Sequence, residues 1–140
     1  MDADFSPITS RLRAKDSDGK EYIVGALTVR EKVSQVGEIT VLLAAKNLSA
    51  ESLIGKKLTC TVYDGPGSSA SKKREFEGYI EQIRSGLGDE PDGMQQYEFV
   101  LKPWFWLLSF SKNFRVFQNK NTQSIVSSVL EDAGFRGEFN

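Results

Sequence analysis

Three carboxylates and a tyrosine recur at alternate positions of one segment, where they could share a surface. Glu75, Glu77, Tyr79 and Glu81 have the same parity, and residues two apart lie on the same face of a β-strand. A pair of carboxyl groups performs acid–base catalysis when a cleft separates their pKa values. The plain alternation of these residues instead favours a strand that faces solvent or a partner protein.

A second segment contains the residue types of a phosphate-binding loop. Residues 65–74 read GPGSSASKKR. A P-loop requires Gly-Lys-Ser/Thr leading into a helix, whereas the lysines here lead into a predicted strand. We therefore interpret this segment as a solvated hairpin loop.

The residue inventory disfavours several kinds of active site. The sequence contains no histidine, which is the commonest metal ligand and general base near neutral pH. The one cysteine, Cys60, cannot form an intramolecular disulfide or a multi-cysteine metal cluster, and its alternation with Leu58 and Val62 predicts a buried position. No nucleophile-elbow motif occurs. We predict no catalytic residue, no metal, no cofactor and no enzymatic activity.

The size, charge and hydropathy of the chain disfavour several functional classes of protein. The 140 residues are 39% hydrophobic and 26% charged, a composition that folds. The net charge of −1 lacks the positive excess of a sequence-independent nucleic-acid binder. The N-terminus shows no signal-peptide pattern. The longest apolar run, Trp104 to Leu108, falls well short of the roughly 20 residues that span a bilayer.

The first hundred residues predict strands separated by glycine-rich turns. Alternating segments occupy 8–15, 22–29, 38–47, 56–64, 74–85 and 95–103. Asp18-Gly19 is the predicted corner of the first hairpin, residues 48–54 could form a helical turn before Gly55, and 86–93 read as a flexible loop. The predicted fold class is mainly β (β-rich α+β), an antiparallel barrel-like domain of about six or seven strands with one C-terminal amphipathic helix.

That helix is predicted within the segment NTQSIVSSVLEDAGF, residues 121–135. Asn121 or Thr122 is the expected N-cap, and Gly134 is the expected residue after the C-terminus. The apolar positions recur at helical spacing: Ile125, Val126, Val129, Leu130 and Ala133.

Aromatic residues concentrate between these predicted elements. We call them the aromatic cluster: Tyr97, Phe99, Trp104, Phe105, Trp106, Phe110, Phe114 and Phe117. All except Phe114 are candidates for core or interface positions. Pro103 cannot donate a ladder hydrogen bond, so it ends a strand or marks an edge.

Strand alternation beyond Pro103 would give both faces of the chain an apolar character. Trp104 and Trp106 would point to one face and Phe105 to the other, so each face would need cover from the same fold, another domain or another chain. A base-stacking platform would interleave cations with its aromatic rings. Here Lys102, Lys112 and Arg115 only flank the cluster.

From Gln96 to Phe135 these residues form a series of motifs that resembles the N-terminal region of VgrG proteins, the spike of type VI secretion. The matching pieces are Tyr97, Leu101, Pro103-Trp104, Trp106-Leu107-Leu108, Arg115-Val116-Phe117-Gln118, and Ile125-Val126 through Val129-Leu130 to Gly134. Upstream, Leu53-Ile54-Gly55-Lys56, Phe76-Glu77-Gly78-Tyr79-Ile80 and Arg30-Glu31-Lys32-Val33-Ser34 are similar to family motifs, although Val36-Gly37 replaces an expected aromatic. The positions carried over are Gly55, Gly78, Pro103, Arg115, Gln118, Ile125, Leu130 and Gly134.

The resemblance implies a structural role without a reaction. Three chains would form a hub, each with two related barrel domains, that adapts the hexameric Hcp tube to a trimeric needle for membrane puncture and effector delivery. The implied partners are further copies of the chain as a homotrimer, the Hcp ring, and effectors or baseplate proteins, with no nucleic acid. The implied location is the bacterial cytoplasm during assembly, followed by ejection with the spike.

Because VgrG proteins are much longer, the resemblance also implies an incomplete chain. Residues 1–118 would be the barrel-like hub domain, and 119–140 a helix and the start of the next segment. Two alternatives stay open: a hub of a phage tail or phage-derived injection particle, and a small β-barrel that binds single-stranded nucleic acid or another extended ligand.

Overall fold

Six antiparallel strands close into a barrel in the computed structural model, which describes residues 10–90 and 93–136. Around the barrel the order is β1-β2-β3-β6-β5-β4, and β4 pairs with β1 to complete the circle. The strands are β1 Leu12–Asp16, β2 Glu21–Arg30, β3 Glu38–Ala45, β4 Lys57–Tyr63, β5 Lys72–Glu90 and β6 Met94–Lys102. The predicted fold class is confirmed.

Alternation along the strands builds the core as the sequence predicts. Every second residue of β3 is buried, from Ile39 to Ala45, and β6 sends Tyr97, Phe99 and Leu101 inward. Cys60 is buried among these side chains, and burial raises the pKa of its thiol to about 12. The cysteine is therefore part of the packing, and its thiol stays protonated near neutral pH.

The predicted loop over 86–93 is wrong for residues 86–90, because β5 continues to Glu90. Asp89 pairs with Gln95 and Glu90 with Met94. The register shifts between Ser85 and Asp89, and Gly86 has φ +81°. An irregular stretch with a left-handed glycine absorbs extra residues without ending the pairing, so the glycines that suggested a loop lie inside a bulged hairpin.

Gly78 lies where β5 comes close to the end of β6. A Cβ atom at this position would lie 2.9 Å from Leu101 Cβ and 2.9 Å from the Lys102 carbonyl oxygen. Both distances are far below ordinary van der Waals contact, and one of the atoms belongs to the backbone. Only glycine fits this close approach of β5 to β6 without a shift of the strands.

A buried carboxylate organises the turn between β1 and β2. Asp16 Oδ1 accepts hydrogen bonds from the backbone amides of Asp18 (3.0 Å) and Lys20 (2.9 Å), and its Oδ2 accepts one from the Tyr22 hydroxyl (2.7 Å). Burial alone would raise the pKa of Asp16, but the hydrogen bonds from Tyr22, Lys20 and Asp18 outweigh it and the pKa lies below its usual value. Gly19, with φ +88°, completes the predicted Asp18-Gly19 corner.

The chain divides into two compact units, Met1–Pro103 and Trp104–Asn140. The first contains the barrel and the short helix α1, Ala50–Leu53, at the position predicted before Gly55. The second contains a 3-10 helix, Trp104–Phe110, and α2, Thr122–Asp132. The sequence-based division at residue 118 stays a prediction.

In the part of the chain that the structure describes, no helix is long and apolar enough to cross a membrane.

Strand alternation over Trp104–Trp106 is the second wrong expectation. Pro103 has no amide hydrogen to continue the ladder of β6, and the residues after it turn with about three residues per turn. The Trp106 and Phe110 rings meet edge to face at 4.6 Å, and Trp104 lies 5.7 Å from Phe105 in a similar arrangement. The aromatic residues therefore contact one another along a helix instead of alternating between two faces.

The C-terminal helix has the predicted caps. Asn121 is the N-cap, and its side-chain oxygen accepts a hydrogen bond from the Ser124 amide at 2.8 Å. After the helix, Gly134 adopts φ +89° and donates its amide to the Glu131 carbonyl oxygen. Both ends thus satisfy backbone groups that a helix leaves unpaired.

We expect Gly78→Ala to lower the free energy of unfolding by about 1–3 kcal/mol, because the methyl group must displace Leu101 or the β6 backbone. Chemical denaturation measures the change. Gly65→Ala is the matched control, since a Cβ atom there meets nothing within 4 Å. Equal stability of the two variants would contradict the close approach.

Tyr22→Phe should cost about 1.5–3 kcal/mol at neutral pH, because it removes a hydrogen bond to a buried carboxylate. The Asp16 pKa is depressed in the folded state, so its stabilisation is present above the unfolded pKa of about 4 and disappears as the pH falls through the folded value. The difference between wild type and variant should therefore shrink below about pH 4.

Denaturation curves from pH 2 to 8 test this dependence on pH, with Tyr79→Phe as the control. Tyr79 lies half-buried on the barrel surface, and loss of its hydroxyl should change stability by less than about 0.5 kcal/mol. A constant difference for Tyr22→Phe across the acid range would count against the role of Asp16.

Candidate interaction surfaces

The outer face of β2, β3, β6 and β5 contains a depression of about 520 Å³. Its lining includes a row of uncharged side chains that the strand register aligns across the four strands: Thr28, Thr40, Val100 and Gln82. Val100 is only 8% exposed although its neighbours Phe99 and Leu101 point into the core. We call this surface the four-strand face.

Ion pairs border the row on both sides. On one side Arg84 pairs with Glu98 at 2.6 Å. On the other, Lys102 Nζ lies 2.7 Å from Glu38 and 3.8 Å from Glu81. The four-strand face therefore combines a neutral middle with charges that neighbouring strands already neutralise.

Lys102 is the most enclosed of these cations, with 17% of its side chain exposed. A register shift between Ile80 and Gln82 places Glu81 beside it. The hydrogen bond from Lys102 and its positive charge together hold the pKa of Glu38 below its usual value, against a smaller effect of burial. Three strands are thus tied together at the end of β6.

The alternating carboxylates of β5 lie on the barrel surface and pair with lysines. Glu75 lies 3.0 Å from Lys72, and Glu77 lies 3.1 Å from Lys57. Glu81 of the same strand lies 3.8 Å from Lys102 of β6. These contacts are those of a salt-bridged strand on the barrel surface.

The glycine-serine loop between β4 and β5 is the predicted hairpin loop. Asp64 closes it, because its carboxylate accepts the Ser71 amide at 2.8 Å and its own amide donates to the Ser71 carbonyl at 3.1 Å. Arg13 donates to the Gly67 carbonyl and stacks 4.0 Å from the centre of the Tyr63 ring.

Within residues 10–90 and 93–136, no group of three or more His, Cys, Asp or Glu side chains is arranged so that it could hold a metal ion.

The structure splits the aromatic cluster between the two units. Tyr97 and Phe99 are buried in the barrel. The second unit holds the other members: half-buried Trp104, Trp106 and Phe117, and exposed Phe105, Phe110 and Phe114. The sequence treated these residues as one cluster, whereas the strand that buries two of them ends at Lys102.

The second unit exposes several large apolar side chains. Phe114 and Val116 are 102% and 87% exposed. On α2, Leu130 is buried, but Val126 and Val129 of the same apolar stripe are exposed. Helical spacing identified the stripe and carries no information on how much of it is covered. We call the exposed residues of the second unit its apolar surface: Phe105, Phe110, Phe114, Val116, Val126 and Val129.

The positions carried over from the family resemblance occupy distinct structural places. Gly55 has φ +81° and donates to the Ile80 carbonyl at 2.8 Å, which joins the end of α1 to β5. Arg115 forms an ion pair with Asp132 of α2, and Gln118 is exposed. The remaining positions are Gly78 at the close approach of β5 to β6, Pro103 after β6, half-buried Ile125, buried Leu130 and Gly134 after α2.

Fold and surfaces together define a closed β-barrel module with a salt-bridged exterior, followed by a helical unit with an apolar surface. The chain belongs to the phage tail baseplate hub (GPD) family, whose family model matches residues 30–140.

Curated relatives agree with this membership. Over 134 residues the chain is 30% identical to the type VI secretion system spike protein VgrG1c of Pseudomonas aeruginosa. This alignment covers 94% of the chain and 18% of VgrG1c. VgrG1b and VgrG1a of the same organism are 29% and 32% identical over 70% and 64% of this chain. The resemblance to VgrG proteins is confirmed. The chain spans less than a fifth of the length of these relatives.

Lys102→Met should lower the free energy of unfolding by about 1–2 kcal/mol at neutral pH, between the values typical of exposed and buried ion pairs. It should also raise the pKa of Glu38 toward its ordinary value, which an NMR titration of the Glu38 side chain measures. Since the Glu38 pKa is lowered in the wild type, the loss of stability should diminish as the pH falls below about 4.

Lys72→Met is the control for this substitution, because Lys72 also pairs with a glutamate but has 56% of its side chain exposed. Its effect should stay below about 1 kcal/mol. An unchanged Glu38 pKa in Lys102→Met would show that Lys102 does not control that carboxyl group.

Phe114→Ser should change stability by less than about 0.5 kcal/mol, because the ring is fully exposed. Leu130→Ala should destabilise the second unit by about 2–4 kcal/mol, since it truncates a buried side chain. Hydrogen exchange of the α2 amides separates the two, with protection lost only in Leu130→Ala. Equal loss in Phe114→Ser would mean that Phe114 packs against α2.

Proposed function

We propose that the chain is the barrel-containing N-terminal part of a type VI secretion spike, acting as a structural hub without enzymatic activity. The observation that carries the proposal is the match to the baseplate hub family over residues 30–140, together with the relatives named as spike proteins over up to 94% of the chain. The barrel is consistent with a structural subunit, because its apolar side chains pack into one continuous core.

We infer a homotrimer that adapts a hexameric Hcp tube to a trimeric needle. Two surfaces support this assignment. The four-strand face presents charges that are already neutralised, so contact with a neighbouring subunit would not leave a buried ion unpaired. The second unit carries an exposed apolar surface of the kind that subunit interfaces cover.

The sequence-based domain division belongs to this proposal. Residues 1–118 would be the hub barrel domain, and 119–140 would lead into the next part of the protein. The candidate core and interface aromatics would serve accordingly: Tyr97 and Phe99 within the barrel, and Trp104, Phe105, Trp106, Phe110 and Phe117 toward the remainder of the hub. Assembly would take place in the bacterial cytoplasm, and the spike would then leave the cell and deliver effectors.

The proposal is tested on the protein expressed from its whole reading frame. Its mass by analytical ultracentrifugation should be that of a trimer, and the trimer should sediment together with purified Hcp rings. The double variant Phe114→Ser, Val116→Ser should weaken trimer formation while hydrogen exchange of the barrel stays unchanged. The matched control is Lys72→Ser, Lys73→Ser, which alters two exposed residues of the barrel.

Each outcome distinguishes the candidates. A monomer at high concentration would contradict the hub. A trimer that binds a phage tail tube and not Hcp would favour the hub of a phage tail or phage-derived particle. Salt-sensitive binding of single-stranded nucleic acid that is lost in Trp104→Ala would replace the structural role with a ligand-binding one.

A further inference from the structure

No further inference is drawn: the strongest candidate, the edge of β5 that runs from Glu81 to Glu90 past its pairing with β4 and that pairs only with β6 among the described residues, could accept any extended strand, and nothing in the structure shows what covers it.

Discussion

The barrel closes at Tyr79, the residue at which β5 changes its pairing partner from β4 to β6. Tyr79 pairs with Lys57 of β4 on one side and with Lys102 of β6 on the other. Before Tyr79, β5 pairs with β4, and after Tyr79 it pairs mainly with β6. The circle closes because β5 is long enough, at 19 residues, to serve both neighbours in succession. Gly78 lets this happen, since a side chain there would collide with Leu101 and the Lys102 carbonyl.

Closure also determines where the charges can lie. A closed barrel turns alternate residues inward, so the charged side chains of the strands, with Asp16 of β1 as a buried exception, lie mostly on the outer surface. There the antiparallel register sets them opposite each other, as with Arg84 and Glu98. The ion pairs follow from the register, and the core does not depend on them. Single exposed ion pairs contribute little to the free energy of unfolding. The stability of the barrel therefore comes mainly from its apolar core and from the closed pairing of its strands.

The sequence predicted the parts of the fold that depend on alternation, and it failed where geometry departs from a regular ladder. The inward-facing residues of β3 and β6 recur with a period of two, and they were predicted correctly. In β5, glycines at 86 and 88 resemble a loop, although a left-handed Gly86 and a register shift keep the strand paired. No local pattern distinguishes such a bulge from a turn, because the deciding partner lies in another strand.

The candidate surfaces were predictable only in part, for a related physical reason. Periodicity tells which side chains share a face, so it located the stripe containing Val126, Val129 and Leu130. It does not tell what lies opposite that face. Nor could it show that Val100, on the outside of β6, would be only 8% exposed, because its neighbours Thr40 and Gln82 belong to other strands.

The two units satisfy their apolar residues to different degrees, and this contrast bears on how the chain functions. The barrel encloses its large hydrophobic side chains around a continuous core, with exposed exceptions that include Val33 in a turn. The second unit contributes most of the exposed large hydrophobics among the described residues, although it is far shorter. Burying those side chains against a protein surface would contribute a hydrophobic gain of about 25 cal/mol for each Å² removed from water, which is offset in part by the freedom lost on association. The barrel therefore buries its large hydrophobic side chains within itself, whereas the second unit leaves such side chains exposed, and exposed apolar side chains of this kind are consistent with the contacts to other protein surfaces proposed above.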